Sequence, residues 1–150
     1  MAPDQIRNQA LHVVNQAFIG LLTTVDSNGV PQARWMGSAL VTGSPWMLYT
    51  LTARGSRKIA QIAQNPNVTW VFSTPECADV ATLFGQAHVL SSPMVAQSVW
   101  DRLMDCVRDY CMSALSNDSN LEVVTLETRV SRIELISPRL RFYQPQSAET

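Results

Sequence analysis

Phe18-Ile19-Gly20-Leu21-Leu22-Thr23-Thr24-Val25, followed by Asp26-Ser27-Asn28-Gly29 and then by the run from Val30 to Val41, is the stretch that decides the fold. The first eight residues are apolar and β-branched, which suits a pleated strand. Asn-Gly takes positive φ at little cost, so the chain turns there and a hairpin results. The residues from Val30 to Val41 then read as a second strand, antiparallel to the first. Gly43-Ser44-Pro45 turns the chain again, and Trp46 to Thr52 reads as a third strand. Connections this short permit hairpins but not parallel crossovers, so the first half is an antiparallel meander.

Before this stretch, Asp4 is placed to cap a first helix running to about Ala17. Its stripe is Ile6, Ala10, Leu11, Val13, Val14 and Ala17. After the third strand, Ser56 is a good N-cap for a short helix from Arg57 to Gln64. Asn65-Pro66 stops that helix, because proline cannot continue the hydrogen-bond ladder. Val68 to Ser73 is a fourth strand and Val80 to Leu90 a fifth. Pro93 suits the first turn of a long helix reaching about Ala114. A loop from Ser116 to Asn120 follows. Leu121 to Ile136 then holds one long bent strand or two short ones, and the tail from Pro138 is expected to fray. The expectation is a mainly β fold with flanking α: about six antiparallel strands in a small barrel or strongly curled sheet, with three helices outside it. Residues 1–150 form one domain, with about 138–150 a loosely ordered tail.

The chain has 150 residues, which favours one domain. Only 15% of them are charged, against about 25% in a typical soluble domain. The shortfall points to surface covered by a second copy of the chain. Eleven basic and twelve acidic residues give a net charge of −1. A protein that coats nucleic acid carries a basic excess, so nucleic acid is not the expected partner. No apolar run is long enough to span a membrane as a helix. Met1-Ala2-Pro3-Asp4 does not begin a secretory signal, and three cysteines, an odd number, suit reduced thiols in a cytoplasm.

Most chemical motifs are missing. The sequence has no glycine-rich nucleotide loop, no Cys-x-x-Cys, no His-x-x-x-His and no Gly-x-Ser-x-Gly. It therefore nominates no metal site and no catalytic residue. What stands out is cationic. Arg34 lies inside the second strand, and Ser56-Arg57-Lys58 opens the short helix. A buried arginine needs a partner. A helix start offers free N–H groups and partial positive charge, to which an anion is suited. Arginine, lysine and a hydroxyl together suit a phosphate. Trp35, Met36, Tyr49 and Thr50 flank the same place and could wall a planar ligand. The plainer alternative is that the charges are solvated and the large side chains pack the core.

These residues resemble the pyridoxamine 5'-phosphate oxidase-like FMN-binding split barrels, and among them the general stress protein branch. The resemblance runs from Ile19 to Val71, through Arg34-Trp35-Met36, Leu48-Tyr49-Thr50, Ser56-Arg57-Lys58 and Asn65-Pro66-Asn67-Val68. It resumes at Leu83-Phe84-Gly85-Gln86-Ala87-His88-Val89 and at Trp100. It implies a six-stranded split barrel that is homodimeric, with flavin sites at the interface. It also implies that Arg34, Ser56, Arg57 and Lys58 hold the FMN phosphate, while Trp35, Met36, Tyr49 and Thr50 contact the flavin. The implied function is a flavin-dependent oxidoreductase acting on a small molecule. Non-catalytic flavin or phosphate-ligand binding, stress sensing, and a deazaflavin-dependent reductase are the alternatives on the same fold. Haem is disfavoured, because neither His12 nor His88 has a ligand context. Val80 stands where the vitamin B6 oxidases carry a glutamine, and Ser137-Pro138-Arg139-Leu140-Arg141 lacks their arginine-rich substrate motif. Both departures argue against B6 oxidation.

Overall fold

The computed structural model describes residues 1–115, 122–137 and 140–145. The elements in chain order are α1 (Pro3–Gln16), β1 (Gly20–Val25), β2 (Pro31–Met36), β3 (Ala39–Val41), β4 (Met47–Ala53) and α2 (Arg57–Gln64). There follow β5 (Asn67–Ser73), β6 (Val80–Leu90), α3 (Pro93–Arg102), α4 (Asp105–Leu115), β7 (Val123–Ser137) and β8 (Leu140–Pro145). The strands form one sheet in the order β2-β1-β5-β6-β7-β4-β3, with β8 also on β7, and every pairing is antiparallel.

The opening hairpin forms as its sequence dictates. Gly29 takes φ +77°. The Asp26 carboxylate accepts the backbone N–H groups of Asn28 and Val30, each at 2.9 Å, and the Gln32 amide at 3.0 Å. These bonds favour the ionised form, so the Asp26 pKa is lowered.

The expected second strand, Val30 to Val41, is two strands. Gly37-Ser38 breaks it, leaving β2 at one end of the sheet path and β3 at the other. Two residues cannot connect the far edges of a flat sheet. The sheet has therefore curled until its edges meet, and β2 and β3 do not pair with each other across the seam. That is a split barrel, and it explains why hydrophobic pattern alone reads one strand where there are two.

Three other expectations change. Ala2 is the N-cap of α1, and Asp4 lies in its first turn, because Pro3 occupies the first helical position. The long helix expected from Pro93 is two, α3 and α4, interrupted at Leu103-Met104, so the flanking helices among the described residues number four. Leu140–Pro145, expected to fray, pairs with β7 from Ser137↔Leu140 to Arg132↔Pro145. The edge of β7 beyond its pairing with β4 offers free backbone groups, which outweighs the weak signal of a proline-bearing tail. The expected loop at Ser116–Asn120 lies outside the described residues, as do residues 138–139 and 146–150.

Alternate residues of the strands fill the barrel. Leu22, Leu48, Trp70, Leu83, Leu126, Ile133 and Leu135 are all buried there, with Ile6, Ala10, Val13 and Val14 of α1 packed against them. Trp70 is stacked on Phe72 with ring centroids 5.9 Å apart, and its indole N–H donates to the Thr128 hydroxyl at 3.1 Å. A second cluster lies on the outer face of β3 and β4, where Ala39 and Leu51 meet Val99 and Leu103 of the α3 side and Val107 and Cys111 of α4.

Candidate functional site

The site forms where β1, β2, β4 and the start of α2 converge. The hairpin register sets Arg34 opposite Leu22, and its side chain turns toward α2. Its Nη1 donates to the Thr24 hydroxyl at 2.8 Å and to the Leu22 carbonyl at 3.4 Å, and its Nη2 donates to the Gln61 side-chain oxygen at 3.3 Å. The Thr24 hydroxyl donates onward to that same Gln61 oxygen at 2.5 Å. Ser56 holds the N-cap position of α2, but its hydroxyl does not cap the helix. It lies 3.3 Å from the Thr52 hydroxyl instead. The Lys58 ammonium donates to Thr52 Oγ1 at 2.9 Å. The first turn of α2 holds no acidic residue and carries two cations, Arg57 and Lys58.

The electrostatics are one-sided. Among the described residues, no carboxylate lies within 4.0 Å of Arg34, Arg57 or Lys58; ion pairs form elsewhere, as at Arg54–Glu122 and Arg108–Asp105. Burial, and after it the charge of Arg34, push the Lys58 pKa down to about 8. Burial, and after it the charge of Arg57, lower that of Arg34. Two partly buried cations thus destabilise one another, and among the described residues their partners are hydroxyl and amide oxygens. Such an arrangement is suited to an anion.

Beside this cluster is a cleft of about 180 Å³. Lys58, Ser56 and Thr52 form its polar end. Trp35, Met36, Gly37 and Leu51 form an apolar side, closed by Tyr110 and Cys111 of α4. Trp35 is 54% exposed. Of the residues nominated from sequence, Trp35, Met36, Ser56 and Lys58 line this cleft, and Arg34 sits next to Lys58. Arg57 is exposed and faces an adjoining hollow lined by Asp26, Ser27 and Gln61. Tyr49 and Thr50 are not among the lining residues. The Tyr49 phenol is on the outer face of β4. Burial and then the Glu127 carboxylate, to which it donates, raise its pKa. Thr50 is buried and donates to the Gly37 carbonyl.

Thr24, Thr52, Gln61, Gly37, Tyr110 and Cys111 escaped the sequence reading. Gln61 carried a usable signal, since it lies four residues after Arg57 and three after Lys58, on the same helical face. The two threonines look like any β-branched strand residue. Tyr110 and Cys111 reach the cleft only because the long helix is broken, which turns α4 onto Gly37.

The sequence matches the family described as pyridoxamine 5'-phosphate oxidase over residues 6–136. No curated protein matches it. Among solved structures, general stress protein 26 from Bacillus anthracis str. Sterne aligns with a TM-score of 0.72 at 20% identity, over 94% of this chain and 98% of that one. A pyridoxamine 5'-phosphate oxidase-related, FMN-binding protein from Nostoc punctiforme PCC 73102 gives 0.68 at 19% identity, over 95% and 91%. A heme-binding protein from Mycobacterium smegmatis gives 0.74 at 16% identity, over 94% of this chain; the chain spans 58% of that protein's length. At these identities the likeness is one of fold, and the family match extends over most of the sequence. The chain belongs to the pyridoxamine 5'-phosphate oxidase family.

Proposed function

We propose that this chain binds FMN through Arg34, Ser56, Arg57 and Lys58 and acts as a flavin-dependent oxidoreductase on a small molecule. The observation that carries the reading is the cationic cluster without a counter-ion. Arg34 and Lys58 are partly buried, Arg57 adds a third positive charge, and among the described residues no carboxylate comes within 4.0 Å of any of the three. A phosphate dianion supplies the missing charge and accepts from both kinds of cation, from the Ser56 hydroxyl and from the start of α2. The apolar side of the adjacent cleft, with Trp35 and Met36, suits a planar ring system. Bound there, a flavin supplies hydride and electron transfer, and the protein supplies position and electrostatics. Arg34 orients the phosphate, with its own fork fixed by Thr24 and Gln61. Lys58 holds a proton against it. Trp35 and Met36 exclude water from the ring side.

We read the active form as a homodimer. The cleft is smaller than the roughly 300 Å³ at which ligand pockets begin. Trp35, Tyr110 and Met112 leave apolar surface exposed around it. A second copy would cover that surface and complete the cleft. Cys77, Cys106 and Cys111 are free thiols, as suits a reducing cytoplasm.

The test is a visible spectrum of the purified protein after mixing with excess FMN and desalting. Retention of about one flavin per chain is expected, with loss in the Arg34→Ala/Lys58→Ala double variant. A double variant that holds FMN as tightly as the parent removes the phosphate assignment. A nicotinamide donor that bleaches the retained flavin separates an oxidoreductase from a non-catalytic binder. A protein that retains a deazaflavin and releases FMN is the reductase alternative.

A further inference from the structure

We infer that α4 is the ring-side wall of the flavin cleft, latched by Tyr110 and admitted by Gly37, and that it sets the environment of the ring independently of the phosphate cluster. The inference rests on the FMN reading above. It names residues that reading did not use.

Tyr110 is the latch. Its hydroxyl donates to the backbone carbonyl of Trp35 at 3.0 Å, joining residues 75 positions apart. β2 is an edge strand, paired only with β1, so its outward carbonyls have no strand partner. The bond satisfies one of those carbonyls and ties α4 to the strand that carries Trp35 and Met36. Gly37 is the space that lets α4 approach. An ideal Cβ at Gly37 would lie 2.5 Å from Val107 Cγ1 and 3.1 Å from Cys111 Sγ, closer than side chains pack. Its φ is not positive, so the residue serves space and not a special backbone shape. Thr50 fixes the Gly37 carbonyl from the other side.

The break at Leu103-Met104 separates α4 from α3. The orientation of α4 is therefore set by its contacts: Arg108 donates back to the Trp100 and Asp101 carbonyls of α3, each at 3.0 Å, Val107 and Cys111 pack on Ala39 and Leu51, and on the cleft side α4 meets Gly37 and the Trp35 carbonyl. The cationic cluster draws its residues from β1, β2, β4 and α2, and none from α4. The ring wall and the phosphate holder are thus separable by mutation. Cys111 reports the latch directly. It is buried against the cleft, and burial raises its thiol pKa. Cys77 and Cys106 are exposed and serve as internal references.

The experiment uses the full chain with Tyr110→Phe and Gly37→Ala. The first readout needs no flavin: the rate at which an aromatic disulfide reagent modifies Cys111 relative to Cys77 and Cys106, followed by peptide mass. Tyr110→Phe should raise it about fivefold, the factor that one ordinary hydrogen bond is worth. Gly37→Ala should raise it at least as much. The second readout is the flavin's visible band near the ring transition, with binding titrations of FMN and of riboflavin, which lacks the phosphate. In both variants the band should move toward that of free flavin, and the FMN-to-riboflavin affinity ratio should stay at the parent's value. Unchanged Cys111 protection in both variants overturns the latch. A falling FMN-to-riboflavin ratio overturns the separation of wall from phosphate holder. A parent protein that retains no FMN overturns the reading beneath the inference, and the thiol rates then still decide the latch.

Discussion

FMN affinity should fall about tenfold between pH 7 and pH 9, and Lys58 is the reason. In the free protein its pKa is about 8, lowered first by burial and then by Arg34. A phosphate dianion prefers the protonated amine, so binding above this pKa must draw a proton onto Lys58. The apparent dissociation constant then rises roughly by the factor 1 + 10^(pH − 8), which is about 1.1 at pH 7 and about 11 at pH 9, or about 1.4 kcal/mol between them. The sign for stability runs the other way. The folded pKa lies below the ordinary value of 10.5, so between about pH 8 and 10.5 the unfolded chain binds more protons. The stability of the flavin-free protein should therefore rise with pH across that window. Both effects come from one cation without a counter-charge.

The assay is a fluorescence titration of FMN at fixed ionic strength from pH 7 to 9. Riboflavin serves as the phosphate-free control, and Lys58→Arg as the variant that stays charged throughout. Riboflavin binding should be flat over the range. The Lys58→Arg variant should lose the pH dependence, whatever its absolute affinity. A parent affinity that is equal at pH 7 and pH 9, or a decline that survives in Lys58→Arg, refutes the assignment of Lys58 to the phosphate.

Arg34→Met should cost most of the FMN affinity in titration, yet leave the thermal midpoint of the flavin-free protein near the parent's, since an uncompensated cation is replaced by an apolar chain of similar length. Trp70→Ala should lower stability by about 3–5 kcal/mol; denaturant unfolding checks this, and a loss under about 1 kcal/mol would contradict the packing of that ring on Phe72. Gly85→Ala should fail to fold or be expressed insoluble, because its Cβ would overlap the Arg129 carbonyl at the bulge between β6 and β7. Sedimentation should give twice the 16.6 kDa chain mass for the parent and a shift toward one chain for Trp35→Glu; a monomeric parent would refute the shared interface.

Much of the fold was legible because its connections are local. The Asn28-Gly29 turn, the strand at Val80–Leu90 and the stop at Asn65-Pro66 each follow from a few neighbouring residues. What escaped depends on closure. Whether Val30–Val41 is one strand or two is decided by β1 and β4, which claim its two ends from opposite edges of the sheet. The strand at Leu140–Pro145 exists because β7 is long enough to offer it an edge. The cationic cluster was legible for a similar reason: Arg34 and Ser56-Arg57-Lys58 break local rules, one as a charge in an apolar strand and the other as cations at a helix start. Tyr49 and Thr50 break no such rule. Their nomination came from their place beside the cluster and from resemblance, and their side chains go to Glu127 and to the Gly37 carbonyl.

That contrast gives the site its logic. A cation at the start of α2 and an arginine in β2 each weaken the free protein slightly, and Thr24, Gln61, Thr52 and the Leu22 carbonyl answer them only with neutral oxygens. Neutral partners hold the cations in position without cancelling their charge. A carboxylate in any of those places would stabilise the free protein more and bind an anion less. Thr24→Asp is the direct trial. Its carboxylate would meet Arg34 where the hydroxyl now accepts at 2.8 Å. The carboxylate gains the Arg34 charge but cannot donate to Gln61 Oε1 as the hydroxyl does, so the test is read on binding: FMN affinity should drop by at least tenfold while riboflavin affinity holds. If FMN binds Thr24→Asp as tightly as the parent, the unanswered charge of Arg34 is not what draws the phosphate.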